Sequence, residues 1–184
     1  MTKRALLLIH FRNFNAINHV FGFHSGDRVL RELGRKLQQA FQDRHELFHF
    51  SSSRFALLVD TYESREDLVH LATEIKRIAK VPLFSNDLPQ QIAMQVGIVE
   101  IEDWYNDPDQ IFTNASLALM HTSDDSNPYS FFNTDMETQL RREDLIEREL
   151  RSSLAQPNSG TLYLEYQPIV DLKTNKIVAF EALA

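Results

Sequence analysis

Seven histidines and no cysteine make imidazole nitrogen the first chemistry to weigh in this chain. His45 and His49 stand four residues apart, and His10 closes an apolar run near the N-terminus. A spacing of four builds a metal site on a helix, but ELFHF has a strand pattern, and four residues along a strand span about 13 Å. The histidines are therefore read as unrelated. The run Ser51-Ser52-Ser53-Arg54 places hydroxyls and a guanidinium on a short turn, with Arg12 as a second cation. Guanidinium can pair with phosphate oxygens without a metal, although an arginine on an exposed turn is ordinarily just solvated. Asn18 and Asp27 flank a helix boundary. There an amide can satisfy orphan backbone groups, and a carboxylate is favoured by the helix dipole. Phe41, Phe48, Phe50, Phe55, Phe131 and Phe132 fall on the inward periods of their elements and are expected in the core rather than on a stacking surface.

The elements that must position these residues alternate along the chain. Ala5-Leu6-Leu7-Leu8-Ile9 predicts a central strand buried on both faces. Phe14, Ile17 and Phe21 mark a short helix. Val29, Leu30, Leu33, Leu37, Ala40 and Phe41 mark a longer one, with Ser25 or Asp27 as its cap. ELFHF, SSSR and FALLVD form a hairpin pattern. A helix begins at Ser64 and is closed by Pro82, ahead of a second strand pair ending in IAMQVGIVEI. Asp107 and Pro108 start another helix, and YSFF is a last short strand. The predicted order is βααββαββαβ. From Thr134 to Leu154 a charged helix carries Met136, Leu140, Ile146, Leu150 and Leu154 on a narrow stripe, with Asp144–Arg148 and Glu147–Arg151 as favourable pairs. TLYLEYQPIVDL and KIVAFEALA then read as two strands around Lys173, Thr174 and Asn175, a ribbon of marginal stability when alone.

Composition narrows the function classes. With 184 residues, 43% of them hydrophobic, the chain can bury one full core and a small appendage. The net charge of -7 gives no overall basic field, so nucleic acid is not an expected partner. The absence of cysteine excludes disulfides and thiolate metal sites and fits a cytoplasmic protein. No membrane-spanning run occurs in the chain, which leaves open a membrane anchor upstream in a longer protein.

LLLIHFRNFNAINHVFGFHSGDRVLRELGRKL resembles the opening strand and two helices of a GGDEF domain, the diguanylate cyclase fold. HFSSSRFALLVD resembles that family's signature hairpin, QVGIVEI its later strand and NASLALMHT its following helix. LEYQPIVDL and FEALA resemble the first two strands of an EAL domain, the cyclic di-GMP phosphodiesterase fold. The resemblance implies an α+β fold, with a nucleotidyl-cyclase or ferredoxin-like antiparallel sheet and packed helices. A connector helix and a short β-ribbon from an incomplete EAL domain follow. The implied domains are a degenerate GGDEF domain over 1–133, a connector over 134–156 and the start of an EAL domain over 157–184.

Departures from the family pattern then set the expected function. The family's metal-ligating aspartate is replaced by His10, and its hairpin signature by Ser51, Ser52, Ser53 and Arg54 ahead of Phe55. Magnesium needs hard oxygen ligands, and lost glycines add Cβ atoms where backbone must approach a nucleotide. Asn15 and Ser123 stand where the family has phosphate-binding lysines, and Gln42 and His45 stand at its product-inhibition site. Asn18 and Asp27 match its guanine-binding asparagine and aspartate, a chemistry suited to an amide and a carboxylate. Glu181 matches the EAL glutamate, a magnesium ligand only in a complete EAL domain.

The expectation is a catalytically inactive regulatory and dimerisation module of a bacterial GGDEF–EAL signalling protein, with no cofactor in this fragment. Its expected partners are a second copy, an EAL domain in cis, and GTP or cyclic di-GMP in the full protein. Two alternatives stay open: a GTP-binding allosteric domain that activates the EAL domain, and an active diguanylate cyclase.

Overall fold

Alternation along the first strand organises the larger part of the molecule. Successive strand residues point to opposite faces, so a run apolar at every position needs cover on both sides. The computed structural model of the chain describes residues 3–12, 14–51, 53–80, 83–85, 88–90, 93–123, 127–155 and 164–183. Within them the chain forms two compact units, Met1–Glu137 and Thr138–Ala184.

The first unit opens with β1 (Arg4–Phe11), α1 (Phe14–Phe21), α2 (Phe23–Phe41), β2 (Glu46–Ser51), β3 (Arg54–Val59) and α3 (Arg65–Lys80). It continues with β4 (Leu83–Ser85), β5 (Leu88–Gln90), β6 (Met94–Ile101), α4 (Pro108–Met120) and β7 (Tyr129–Phe131), and α5 (Thr134–Ala155) begins at its end. A five-stranded sheet has the order β2-β3-β1-β6-β7, with β1 antiparallel to both its neighbours and β7 parallel to β6. β4 and β5 pair as a separate hairpin. The fold is thus α+β with a mixed, mostly antiparallel sheet and β1 at its centre. The expected second strand pair resolves instead into the β4–β5 hairpin followed by the long strand β6.

Leu7, Ile9, Leu57 and Ile98 face a core closed by Val29, Leu33 and Leu37 of α2 and by Leu68, Ala72 and Ile75 of α3. Leu6, Leu8, Ala56 and Val99 face the other way, onto Ala115 and Leu119 of α4. At roughly 1.5–3 kcal/mol per large side chain removed from water, this two-sided burial is the main force holding the sheet together. Gly97 lets α4 lie directly on β6: a Cβ there would sit 2.2 Å from the carbonyl oxygen of Ala115. α4 starts as expected, with the Asp107 carboxylate accepting from Asp109 N–H at 2.9 Å and Pro108 in the first turn.

Two expectations about side chains fail here. α2 begins earlier than expected, with Gly22 as its cap residue at φ 81°, so neither Ser25 nor Asp27 caps it. Phe48 and Phe50 are 51% and 48% exposed, whereas Phe41 and Phe55 are buried. β2 is an edge strand, and the half of the sheet it occupies lacks the cover that β1 receives. Phe50 stacks at 4.6 Å on Phe112 of α4 instead of joining the core.

The second unit contains the rest of α5 together with β8 (Glu165–Asp171) and β9 (Lys176–Leu183), an antiparallel ribbon. Asn175, at φ 52°, takes the left-handed turn position that asparagine tolerates. Arg148–Asp144 and Arg151–Glu147 form the predicted helix pairs at 2.8 and 2.7 Å.

Candidate functional site

The hairpin end of the sheet gathers the residues singled out by their chemistry. His10, near the end of β1, is the direct Cα partner of Arg54 on β3 and of Gln95 on β6, and Ser51 on β2 is opposite Arg54. The pleat puts His10, Arg54 and Gln95 on the face shared by Leu8, Ala56 and Gly97, the face covered by α4. The turn is locked to β1 by the Phe11 N–H, which donates to the Ser53 carbonyl at 2.8 Å. The Arg12 N–H donates to the Ala93 carbonyl at 3.1 Å, fixing the backbone just past β1. Ser51 is exposed and Ser53 half-buried, while Ser52 lies outside the described residues. Phe55 is a core residue beneath Gly34.

Two arginine charges act on His10 at this end. His10 is half-buried, and its imidazole is held below the usual histidine range by burial first, then by Arg54 and Arg12. Arg54 is half-buried too, and among the described residues no carboxylate pairs with its guanidinium. Gln95 is buried and turns its Nε2 to the Thr122 carbonyl at 3.3 Å. A neutral imidazole, hydroxyls and a guanidinium do not suit magnesium, a hard cation that takes carboxylate, phosphate and water oxygens. Among the described residues no group of three or more histidine or acidic side chains could hold a metal ion.

Asn18 on α1 and Asp27 on α2 lie on either side of the α1–α2 elbow, which Phe11 and Phe14 tie to the same end of the sheet. Phe11 of β1 and Phe14 of α1 pack at 5.7 Å, and the Phe14 ring lies against Gly26. The Asn18 side chain is pressed onto the same glycine, so that a Cβ at position 26 would stand 1.9 Å from its Oδ1. That oxygen is buried without a hydrogen-bond partner, so it does not satisfy a helix end. Asp27 is exposed beyond the first turn of α2. Asn15 is exposed on α1, and its carbonyl oxygen lies 2.8 Å from His19 Nδ1. The Ser123 N–H donates to the Asn127 carbonyl at 2.8 Å.

At the opposite end of the sheet, sequence reasoning singled out His45 but not the residues around it. A cavity of about 520 Å³ there is lined by Arg44, His45, Tyr62, Asp67, His70 and Glu74, among others. It lies away from the hairpin, so cavity size and concentrated chemistry do not coincide. His45 Nδ1 is buried without a partner, and burial, then Arg44, holds the ring below the usual histidine range. Tyr62 donates to Glu100 at 2.9 Å and is pushed up to about 12, by burial first and by Glu100 second. Arg65 donates to the same carboxylate at 2.7 Å. Tyr62 and Glu100 are 38 residues apart, and only the sheet pairing brings them together.

In the second unit, Glu181 stands on β9 directly opposite Gln167, exposed. His45 and His49 do not share an element, because β2 starts at Glu46.

The model of the family described as "Diguanylate cyclase, GGDEF domain" matches residues 1–127. The chain belongs to the GGDEF family. Its GGDEF domain is of the class used in bacterial cyclic di-GMP signalling. An uncharacterized protein of Sinorhizobium fredii, y4lL, is 26% identical over all of this chain, which spans 22% of that protein. MucR of Pseudomonas aeruginosa, described as a bifunctional diguanylate cyclase/cyclic di-GMP phosphodiesterase, is 24% identical over 97% of the chain, which spans 26% of MucR. The chain therefore covers about a quarter of the length of these relatives. Among solved structures, the GGDEF domain of TpbB (YfiN) from Pseudomonas aeruginosa superposes with a TM-score of 0.69 at 18% identity, covering 76% of this chain and 83% of that one. The active GGEEF domain of a Vibrio cholerae diguanylate cyclase gives 0.62 at 24% identity, covering 72% and 85%. Among the described residues of this GGDEF protein, no helix is long and apolar enough to cross a membrane.

Proposed function

We propose that this GGDEF domain is non-catalytic and serves as a regulatory and dimerisation module of a cyclic di-GMP signalling protein. The observation that carries the reading is the direct pairing of His10 with Arg54 at the hairpin end. Condensing two nucleoside triphosphates needs a metal that bridges phosphates and neutralises charge as the attacking oxygen approaches. An imidazole beside an arginine offers neither the oxygen ligands nor the negative charge for that metal. Incubation of the chain with GTP and magnesium or manganese should yield no cyclic di-GMP. Product formation that is lost in a His10→Ala variant would sink the proposal.

The dimerisation part rests on α5, where Leu140, Ile146, Leu150 and Leu154 are 37–72% exposed along one charged helix. Residues 157–184 fit the start of an EAL domain, in which Glu181 would be a magnesium ligand together with residues outside this chain. The two-stranded β8–β9 pairing and the exposed Glu181 are compatible with that assignment. In a protein of this type the EAL domain in cis would receive the regulatory output.

A second reading is that the domain senses GTP and activates an attached EAL domain. It is favoured by the buried Asn18 Oδ1, which has no partner in a protein where buried polar atoms are nearly always satisfied. Calorimetric titration with GTP, with and without magnesium, tests it. Binding abolished in Asp27→Ala would support a guanine-recognising pocket, and no heat in either condition would remove it.

A further inference from the structure

We propose that an aromatic-walled cavity at the end of the sheet opposite the hairpin binds a small organic cation, an alkylammonium held by Trp104, Glu102 and Asp103. The proposal goes beyond the regulatory reading above and does not depend on it.

β1 begins and β6 ends at this edge, with Arg4 opposite Ile101 and Ala5 opposite Glu100. The cavity has a volume of about 530 Å³, within the roughly 300–1,000 Å³ of small-molecule sites. Tyr62 and Trp104 line it together with Glu100, Glu102, Asp103 and Lys3, and Ile101 adds an apolar wall for an alkyl chain. The indole is fixed before any ligand arrives. The Tyr105 N–H donates to the Glu102 carbonyl at 3.1 Å, closing a turn with Asp103 and Trp104 at its centre. Tyr105 accepts from Asn114 of α4 at 2.8 Å, and the Trp104 ring stacks on it at 3.9 Å. Trp104 Nε1 donates to Glu102 Oε2 at 2.8 Å, yet the residue stays 49% exposed. An indole held in place and half open to solvent attracts ammonium groups through the negative face of its ring.

The carboxylates differ in what already holds them. Glu100 accepts from Tyr62 and Arg65 and is committed. Glu102 gives one oxygen to Trp104, and Asp103 has no partner among the described residues. The chain itself places one ammonium against this lining: Lys3 Nζ lies 5.8 Å from the centroid of the Tyr62 ring. It donates to the Glu63 carbonyl at 2.9 Å and, among the described residues, pairs with no carboxylate. Glu102 and Asp103 against Lys3 leave the lining negative even with Glu100 neutralised by Arg65, so a cation is favoured over an anion.

Trp104 is the single tryptophan of the chain, so its fluorescence reports on the cavity directly. The whole chain is titrated with cadaverine, a five-carbon diamine, with the matching diol as the uncharged control and potassium chloride at equal ionic strength. Cadaverine is expected to shift the emission saturably at millimolar concentration or below, and to bind more weakly as salt is raised. Neither control should do so. Glu102→Gln keeps an acceptor for the indole N–H, and the double variant Glu102→Gln/Asp103→Asn should weaken cadaverine about tenfold, a few-fold for each exposed ion pair. Trp104→Leu, followed by calorimetry, should weaken it about threefold. Lys3→Gln removes a like charge and should tighten binding, an effect that a purely structural role of the turn would not produce. The proposal is overturned if cadaverine gives no saturable change, if the diol or the salt reproduces it, if the double variant binds as the parent does, or if Lys3→Gln weakens binding.

Discussion

Gly26 and Asn18 show how a single missing Cβ can set a local structure. Gly→Ala within a helix ordinarily stabilises by about 0.5–1 kcal/mol, because alanine loses less backbone entropy. Here the new methyl would stand 1.9 Å from Asn18 Oδ1 and 3.0 Å from the Phe14 ring, so the sign should reverse. Gly26→Ala is expected to destabilise by about 1–3 kcal/mol in denaturant unfolding, as overpacking does. Most of that loss should be recovered in Asn18→Ala/Gly26→Ala, since the two residues share one contact. Additive losses would show that the clash is not with Asn18.

His10 gives a pH prediction at the same scale. Its folded pKa lies below the unfolded value of 6.5, so between the two values the unfolded chain binds more protons. Stability should be complete above 6.5 and should fall as pH drops through the folded pKa. His45 is shifted the same way and contributes with the same sign. Chemical denaturation at a series of pH values should show the parent losing stability on acidification, and His10→Gln losing less. An identical pH slope in the two proteins would contradict the assignment. Asn18 and His10 were readable as chemically interesting from the sequence. The buried oxygen against Gly26 was not, because nothing in the order of residues says that the two helices meet at that point.

At the level of elements, legibility followed the period. The uninterrupted apolar run of β1 required cover on both faces, and it received α2 and α3 on one side and α4 on the other. Phe48 and Phe50 have the same alternation as core residues, but being an edge strand is a property of the assembled sheet and cannot be read from six residues. Gly97 tests the α4 side. A Cβ there meets the Ala115 carbonyl and the Leu119 N–H, both main-chain atoms of the helix that cannot rotate away. Gly97→Ala should therefore cost more than Gly26→Ala, at the upper end of about 1–3 kcal/mol or beyond. Gly97→Ala with a near-parental unfolding midpoint would mean that α4 shifts freely on β6.

On α5, the exposed Leu140 and Leu150 belong to the proposed dimerisation face. Light scattering should show a mass that rises with protein concentration in the parent and stays monomeric in Leu140→Glu/Leu150→Glu. A concentration-independent monomer in the parent would remove that role from the helix.

Over the whole molecule, burial grades the stability. β1 and β6 lie inside the sheet with nearly every residue buried. All of β9 is exposed, and so is β8 except Asp171. A two-stranded ribbon whose side chains are this open has little apolar burial to oppose local separation of its strands, and such ribbons are marginal in water. Amide exchange by mass spectrometry should accordingly find the protection of β1 and β6 set by global unfolding, while Ile169, Val170, Ile177 and Val178 exchange through local opening many times faster. This gradient was half-legible in advance: the strand patterns of both units could be read from alternation, but the difference in burial depends on which other strands and helices lie alongside. Protection of the ribbon equal to that of β1 would mean that its apolar side chains, Tyr166 and Phe180 among them, are covered in solution by a further surface, and a second copy of the chain would be the first to test by diluting the sample.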